Sequence, residues 1–300
     1  MKKINFFEHV FPHTIAVVVF LIVTAFFFSP VFFENKTLVQ SDIAQSVGAS
    51  KTLKDFRAQT GEEGLWASNM FSGMPAYMVS VQWGYQGVGI LKRILSLNIP
   101  HPVCNIFLAF LCYYIMLLTF KVRPFIAIAG ALAFGLSSFM IIGLSAGHNA
   151  RIGAMAFMPL VMAGIHLSFS GKRVLGFGIT AAGLALHLRE NHLQVTYYLL
   201  LIVLGYGLMQ LITAIREKRL GEVFKTVSIL VPAALLAVGT FFGPLWAVYE
   251  YTPHSTRGKT ELISPTATNT GSGLNRDYVF NYSNGILEPM TILVPNFYGG

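Results

Sequence analysis

The sequence predicts an all-α fold: a polytopic transmembrane helix bundle of about seven spans with a cytoplasmic N-terminus. Three observations carry that reading. Of 300 residues, 54% are hydrophobic and only 11% charged, whereas a soluble chain carries roughly 25% charged residues. Mean hydropathy is +0.60. Apolar stretches that reach or approach the roughly 17–25 residues needed to cross a hydrocarbon core recur along the chain, and Lys and Arg alternate between the connections that join them. So few charges cannot cover a globular surface, which argues against a soluble enzyme, and the apolar content excludes disorder.

The first stretch, residues 13–33, follows Met1-Lys2-Lys3. Its apolar core is too long for a secretory signal and no small-residue cleavage site follows, so it reads as an uncleaved anchor. The others fall at residues 101–120, 125–144, 153–170, 174–188, 195–215 and 226–249, the fifth being the shortest. One set of connections holds Lys2 and Lys3, Lys121 and Arg123, Lys172 and Arg173, then Arg216, Lys218, Arg219 and Lys225. The short loops between them hold only Arg151 and Arg189. By the positive-inside rule the basic set is cytoplasmic. Residues 34–100, 145–152, 189–194 and everything after 249 then lie outside. The domain organisation that follows is a bundle over residues 1–250, with its long outer loop, and an extracytoplasmic segment over 251–300. The chain stops abruptly at Gly299-Gly300, the expectation being a piece of a longer protein.

The net charge of +8 is largely this inner-face set, a topology determinant rather than a nucleic-acid patch. Of the 13 Asp and Glu, this topology places only Glu8, Glu217 and Glu222 inside. No acid occurs between Glu63 and Glu190. Chemistry that needs a carboxylate therefore belongs to the outer face. Cys104 and Cys112 lie in one apolar run and form neither a disulfide framework nor a metal knuckle.

The outer loop of residues 34–100 is too long for a simple connector. It opens Gln40-Ser41-Asp42-Ile43-Ala44-Gln45, which holds Asp42 and Gln45 close to the membrane surface. Ser41 reads as a helix N-cap. Residues 46–59 carry Val47, Leu53 and Phe56 at near-helical spacing, the pattern of an interfacial helix. Asp42 is then either an exposed residue of a surface helix or a reactive carboxylate. Next comes Leu65-Trp66 and Met70-Phe71-Ser72-Gly73-Met74-Pro75, turn chemistry with aromatics. The Gly-rich run Gly84–Gly89 lacks a Lys-Ser/Thr and is no phosphate loop.

Two short outer loops concentrate polar groups. His148-Asn149-Ala150-Arg151 sets a guanidinium, which grips phosphate through paired hydrogen bonds, beside the start of a helix. The alternative is an arginine snorkelling to headgroups. His187-Leu188-Arg189-Glu190-Asn191-His192-Leu193-Gln194 follows a short span and could lie partly below the surface, where charge is costly and functional by default. The alternative there is a water-facing Arg189–Glu190 pair. His148, His187 and His192 invite a metal reading, but no HxxxH spacing or paired carboxylates accompany them. His166, beside Gly164, reads as satisfying a neighbouring helix. Beyond the last span stand Glu250, Tyr251, His254 and Arg257, then a Ser/Thr/Gly-rich stretch at 264–272, read as a mobile outer loop.

Together Ser41-Asp42-Ile43-Ala44-Gln45, Leu65-Trp66, Ser72-Gly73-Met74-Pro75, Asn191-His192-Leu193-Gln194 with Tyr197-Tyr198, and Val294-Pro295-Asn296-Phe297-Tyr298-Gly299 resemble the YfhO-like bacterial membrane proteins. Trp66 is followed by Ala67-Ser68, and Ser72 stands where that pattern has Gly. The resemblance implies a multi-pass protein of the bacterial inner membrane, similar to polytopic glycosyltransferases of the C-type fold. It implies transfer of a sugar from a polyprenyl-phosphate donor to an extracytoplasmic glycan or protein acceptor. Asp42 matches the family's acidic catalytic position. Arg151, Arg189, His148, His192, Gln45, Gln194 and Glu190 are the expected substrate-binding set, with a divalent cation an open question as cofactor. Two other classes compete: a transporter or flippase for a lipid-linked or anionic substrate, and a non-catalytic assembly subunit.

Overall fold

The structure is a computed structural model that describes residues 7, 10–81, 87–255, 276–281, 283, 285–292, 294 and 297. Two compact units are present, Met1–Phe242 and Gly243–Gly300.

The first unit opens with α1 (Phe11–Phe27), α2 (Ser29–Phe33), α3 (Ser41–Ala49) and α4 (Lys51–Thr60). A two-stranded antiparallel hairpin follows, β1 (Trp66–Ala67) with β2 (Met74–Pro75), Trp66 opposite Pro75. Then come α5 (Gly87–Leu95), α6 (Cys104–Thr119), α7 (Pro124–Gly135), α8 (Ser138–Ala146), α9 (Asn149–Phe169), α10 (Arg173–Arg189), α11 (Leu193–Arg216) and α12 (Leu220–Thr240).

The fold is helical, as the sequence predicts, but the spans are less uniform than seven even crossings. Among the described residues α9, α11 and α12 are long and apolar enough to cross a membrane, and α7 with α8, bent by 41°, make a fourth if counted as one. Helices α1 and α6 are shorter apolar helices, and α10 has 17 residues. The predicted stretches 13–33, 125–144 and 226–249 are each broken. Chain chemistry accounts for two of the breaks. Pro30 sits in the first turn of α2, and Gly243-Pro244 sits in the first turn of the helix Phe242–Tyr251, which follows the end of α12 at Thr240. Proline supplies no backbone N–H, so it suits the first turn of a new helix and not the interior of a continuous one.

Helix α9 is the hub. Within its apolar window 78% is buried, against 11% for α11 and 17% for α12, so α9 is wrapped by protein while α11 and α12 present Leu204, Leu208, Leu235 and Leu236 outward. An exposed apolar face of that extent suits a hydrocarbon solvent. Small residues bring α9 and α10 together. A Cβ on Gly164 would lie 2.5 Å from the Thr180 backbone nitrogen, and one on Gly176 would lie 2.6 Å from the Gly164 carbonyl oxygen. Gly164 with Ser168, and Gly176 with Thr180, give each helix a small-residue pair four apart, the spacing that permits close backbone approach in membranes. On the other side of the hub, Phe20 of α1, Phe107 and Phe110 of α6 and Phe157 of α9 are fully buried. His166 bonds Tyr206 of α11 at 2.6 Å and stacks on Phe120, so the interior histidine serves a neighbouring helix.

The segment of residues 34–100 departs from its sequence reading in two ways. Gln40, not Ser41, occupies the cap position of α3, no side-chain cap bond forms there, and Ser41 is already helical. The single helix expected over 46–59 is two, meeting at Ser50. The Ser50 hydroxyl donates to the Ser46 carbonyl at 2.7 Å, the local bonding by which serine competes with continuous helix.

The second unit contains α13 (Phe242–Tyr251) and α14 (Arg276–Phe280), with short 3-10 turns at Thr252–His254 and Glu288–Ile292. Arg257 and the stretch 264–272 lie outside the described residues.

Candidate functional site

The site grows from the α8–α9 corner. Gly147 ends α8 in a left-handed conformation, φ +101°, which favours glycine. It is also a point of close approach, because a Cβ there would lie 3.2 Å from Asp42 Cβ and 3.3 Å from both Gln40 Cβ and Ile43 Cγ1. The first turn of α3 therefore seats directly on this corner.

A buried amide lock fixes it. Gln40 Nε2 donates to Asn149 Oδ1 at 2.9 Å and to the Leu144 carbonyl, and Asn149 Nδ2 donates back to Gln40 Oε1 at 3.0 Å. Asn105 of α6 donates to the Asn149 carbonyl at 3.1 Å. Gln40, Asn105 and Asn149 are all buried, and satisfied amides in such surroundings specify one arrangement. Beside this lock, Asp42 Oδ2 stands 2.9 Å from His148 Nε2, with both side chains about half exposed. Asp42 sits in the first turn of α3, where the helix dipole favours an anion.

Arg151 follows His148 by three residues and opens onto the same end of α9. Its guanidinium lies over the Phe139 ring, 4.8 Å from the centroid. Its Nε is buried and has no hydrogen-bond partner among the described residues. With Phe139, Met155, Met158, His192, Gln194, Val195 and Tyr198 it lines a cavity of about 440 Å³. Gln194 Nε2 donates to the Tyr198 hydroxyl at 2.7 Å along α11. His192 caps α11, accepting from the Val195 N–H. Its pKa is lowered, first by burial and then by the neighbouring Arg151 and His148.

Arg189 and Glu190 lie elsewhere. Arg189 borders a different cavity of about 320 Å³, with Lys92, Arg93, Ser96, Asn98 and His101 among its walls. Glu190 is buried and bonds Lys92 Nζ at 2.7 Å, its carboxylate wedged against Gly153. The two arginines expected to share a phosphate thus line separate cavities, and Arg189–Glu190 is no water-facing pair. Gln45 is exposed on α3 and lines neither cavity. His187 bonds the Ala154 carbonyl and Thr196, a role in holding α9, α10 and α11 together.

Sequence reasoning missed Gln40, Asn105 and Asn149 as a unit. The signal was Asn105, an amide inside an apolar run that needs a partner once buried. Tyr198 was noted only as part of a motif, and Lys92 not at all. Among the described residues no three His, Cys, Asp or Glu side chains gather as metal ligands. Asp42 and His148 offer two donors, so a cation held here would take its remaining ligands from substrate and water. No protein-family model, no curated protein and no solved structure matches the chain.

Proposed function

We propose that the chain is a YfhO-like, multi-pass protein of the bacterial inner membrane. In this reading it transfers a sugar from a polyprenyl-phosphate donor to an extracytoplasmic acceptor, with Asp42 as general base. The observation that carries it is the Asp42–His148 pair at the start of α9, 2.9 Å apart, with His148 three residues before Arg151, which walls a cavity of mixed character that neither Asp42 nor His148 lines. The alternation of Lys and Arg supports placing this corner outside, with the N-terminus in the cytoplasm.

The chemistry follows from the groups. Phe139, Met155, Met158 and Val195 offer an apolar wall to a prenyl chain, and Arg151, His192, Gln194 and Tyr198 offer donors to a phosphate. The acceptor oxygen attacks the anomeric carbon, and the bond from that carbon to the phosphate oxygen breaks. The electron pair leaves with the phosphate, whose charge the Arg151 guanidinium stabilises. The acceptor proton passes to the Asp42 carboxylate, which His148 orients. A single displacement of this kind inverts the sugar carbon.

Asp42→Asn keeps the shape and removes the basicity. Sugar transfer in membranes is expected to fall by roughly 100-fold or more at unchanged protein level. A normal glycan from a normally expressed Asp42→Asn chain defeats the proposal. Movement of a lipid-linked substrate in proteoliposomes without product marks the transporter reading instead.

A further inference from the structure

We propose that the cavity between α5 and the C-terminal end of α10 binds a phosphate-monoester dianion, at a site separate from that of Arg151. The cavity, about 320 Å³, presents Lys92, Arg93, Ser96, Asn98, His101 and Arg189. Phosphate recognition asks for guanidinium forks and small hydroxyl or amide donors, and both are here.

Charge supports the same ligand. Three permanent cations (Lys92, Arg93, Arg189) border the cavity, and a single carboxylate, Glu190, answers them through Lys92. Three against one leaves a surplus of two positive charges, the complement of a monoester dianion. Arg189 is held for this purpose by the lack of a side chain at Gly89, where a Cβ would lie 3.0 Å from Arg189 Nη2 and 3.4 Å from Nε. The guanidinium therefore lies flat against α5. Its Nε is buried with no hydrogen-bond partner among the described residues, a donor that the protein itself leaves without an acceptor.

Helix α5 adds a second feature. Val88, Leu91 and Leu95 pack on the core, while Ile90 and Ile94, one turn apart, and Leu97 beyond them are exposed at 43%, 64% and 54%. An apolar stripe therefore runs beside the exposed Arg93. A lipid bearing a phosphate monoester uses both surfaces, whereas a free phosphate uses only the cations. This inference uses no residue of the Asp42 corner, so its failure leaves the transfer proposal intact, and the failure of that proposal leaves this site standing.

The test is ligand binding to the detergent-solubilised full chain by native mass spectrometry. Its three probes are short-chain phosphatidic acid, short-chain phosphatidylcholine and inorganic phosphate. Saturable binding of phosphatidic acid is expected, with none of the phosphodiester phosphatidylcholine. Arg189→Gln and Arg93→Gln should each weaken binding roughly tenfold, the loss of one charge-assisted contact. Arg93 is exposed, so Arg93→Gln carries the test if Arg189→Gln fails to fold. Inorganic phosphate bound with the same dependence on these arginines supports the site and assigns it to a free anion, while phosphatidic acid alone assigns it to a lipid. Absence of saturable binding of both phosphatidic acid and inorganic phosphate overturns the proposal. Binding that Arg151→Gln abolishes and the other two variants spare overturns it as well.

Discussion

Replacing Gln40 by methionine removes one half of the amide lock beneath Asp42 and keeps most of the volume. The Asn149 side chain then loses its acceptor at 3.0 Å and its donor at 2.9 Å in a place closed to water. At about 1–3 kcal/mol for each of the two stranded buried groups, the single variant should lose about 2–6 kcal/mol. Asn149→Leu strands the Gln40 amide and should cost about the same. The double variant strands neither partner, so its loss should be no greater than that of either single change. The coupling between the two sites should then reach about 2 kcal/mol or more. Denaturant unfolding in mixed micelles, read as a double-mutant cycle, measures it. Losses that add to within about 0.5 kcal/mol would show that the two amides do not depend on each other, and the lock would be no lock.

Two further outcomes follow from the neighbouring groups. Glu190→Gln leaves the largely buried Lys92 ammonium, 12% exposed, without its 2.7 Å partner. Breaking such a pair costs about 3–5 kcal/mol, so thermal unfolding should fall by many degrees, and Lys92→Met combined with Glu190→Met should recover much of it. An unchanged unfolding temperature for Glu190→Gln contradicts the buried pairing. His192 has a folded pKa below the usual 6.5 because burial, Arg151 and His148 disfavour its cation. The unfolded chain therefore binds the proton more readily. The stability this histidine contributes is complete above pH 6.5 and is lost as pH falls below it. Wild type should lose stability on acidification through that window, and His192→Gln should lose less over the same window. Parallel pH profiles for the two chains would refute the assignment.

Much of the bundle was legible in the sequence because apolar length is a one-dimensional property. Every predicted stretch is largely helical, and α9 and α11 stand close to where hydropathy put them, while α12 ends at Thr240, short of the predicted 249. The breaks were less legible. Pro30 and Gly243-Pro244 were visible but sat inside apolar runs, where composition outweighed local backbone chemistry. The Ser50 break in the outer-loop helix turned on one hydroxyl bonding its own turn. At the site, Asp42 and His148 were both picked out, and they meet across 106 residues of chain. The separation of Arg151 from Arg189 was not readable, since both sit in short loops and only packing decides which cavity each enters. Nor was Lys92 visible as the partner of Glu190, 98 residues away. Such pairs are fixed by how α5 lies across α10, and α5 carries too little sequence signal to place it.

Sugar transfer at this corner requires Asp42 and Arg151 to share the compartment opposite the cytosol. Cysteine labelling reads this directly, because the native Cys104 and Cys112 are both buried and leave a quiet background. A thiol introduced by Asp42→Cys should react with a membrane-impermeant maleimide in intact cells, while one introduced by Lys172→Cys should react only after the membrane is opened. Labelling of Lys172→Cys from outside, with Asp42→Cys protected until permeabilisation, would invert the topology and end the outer-face assignment of every residue at this corner.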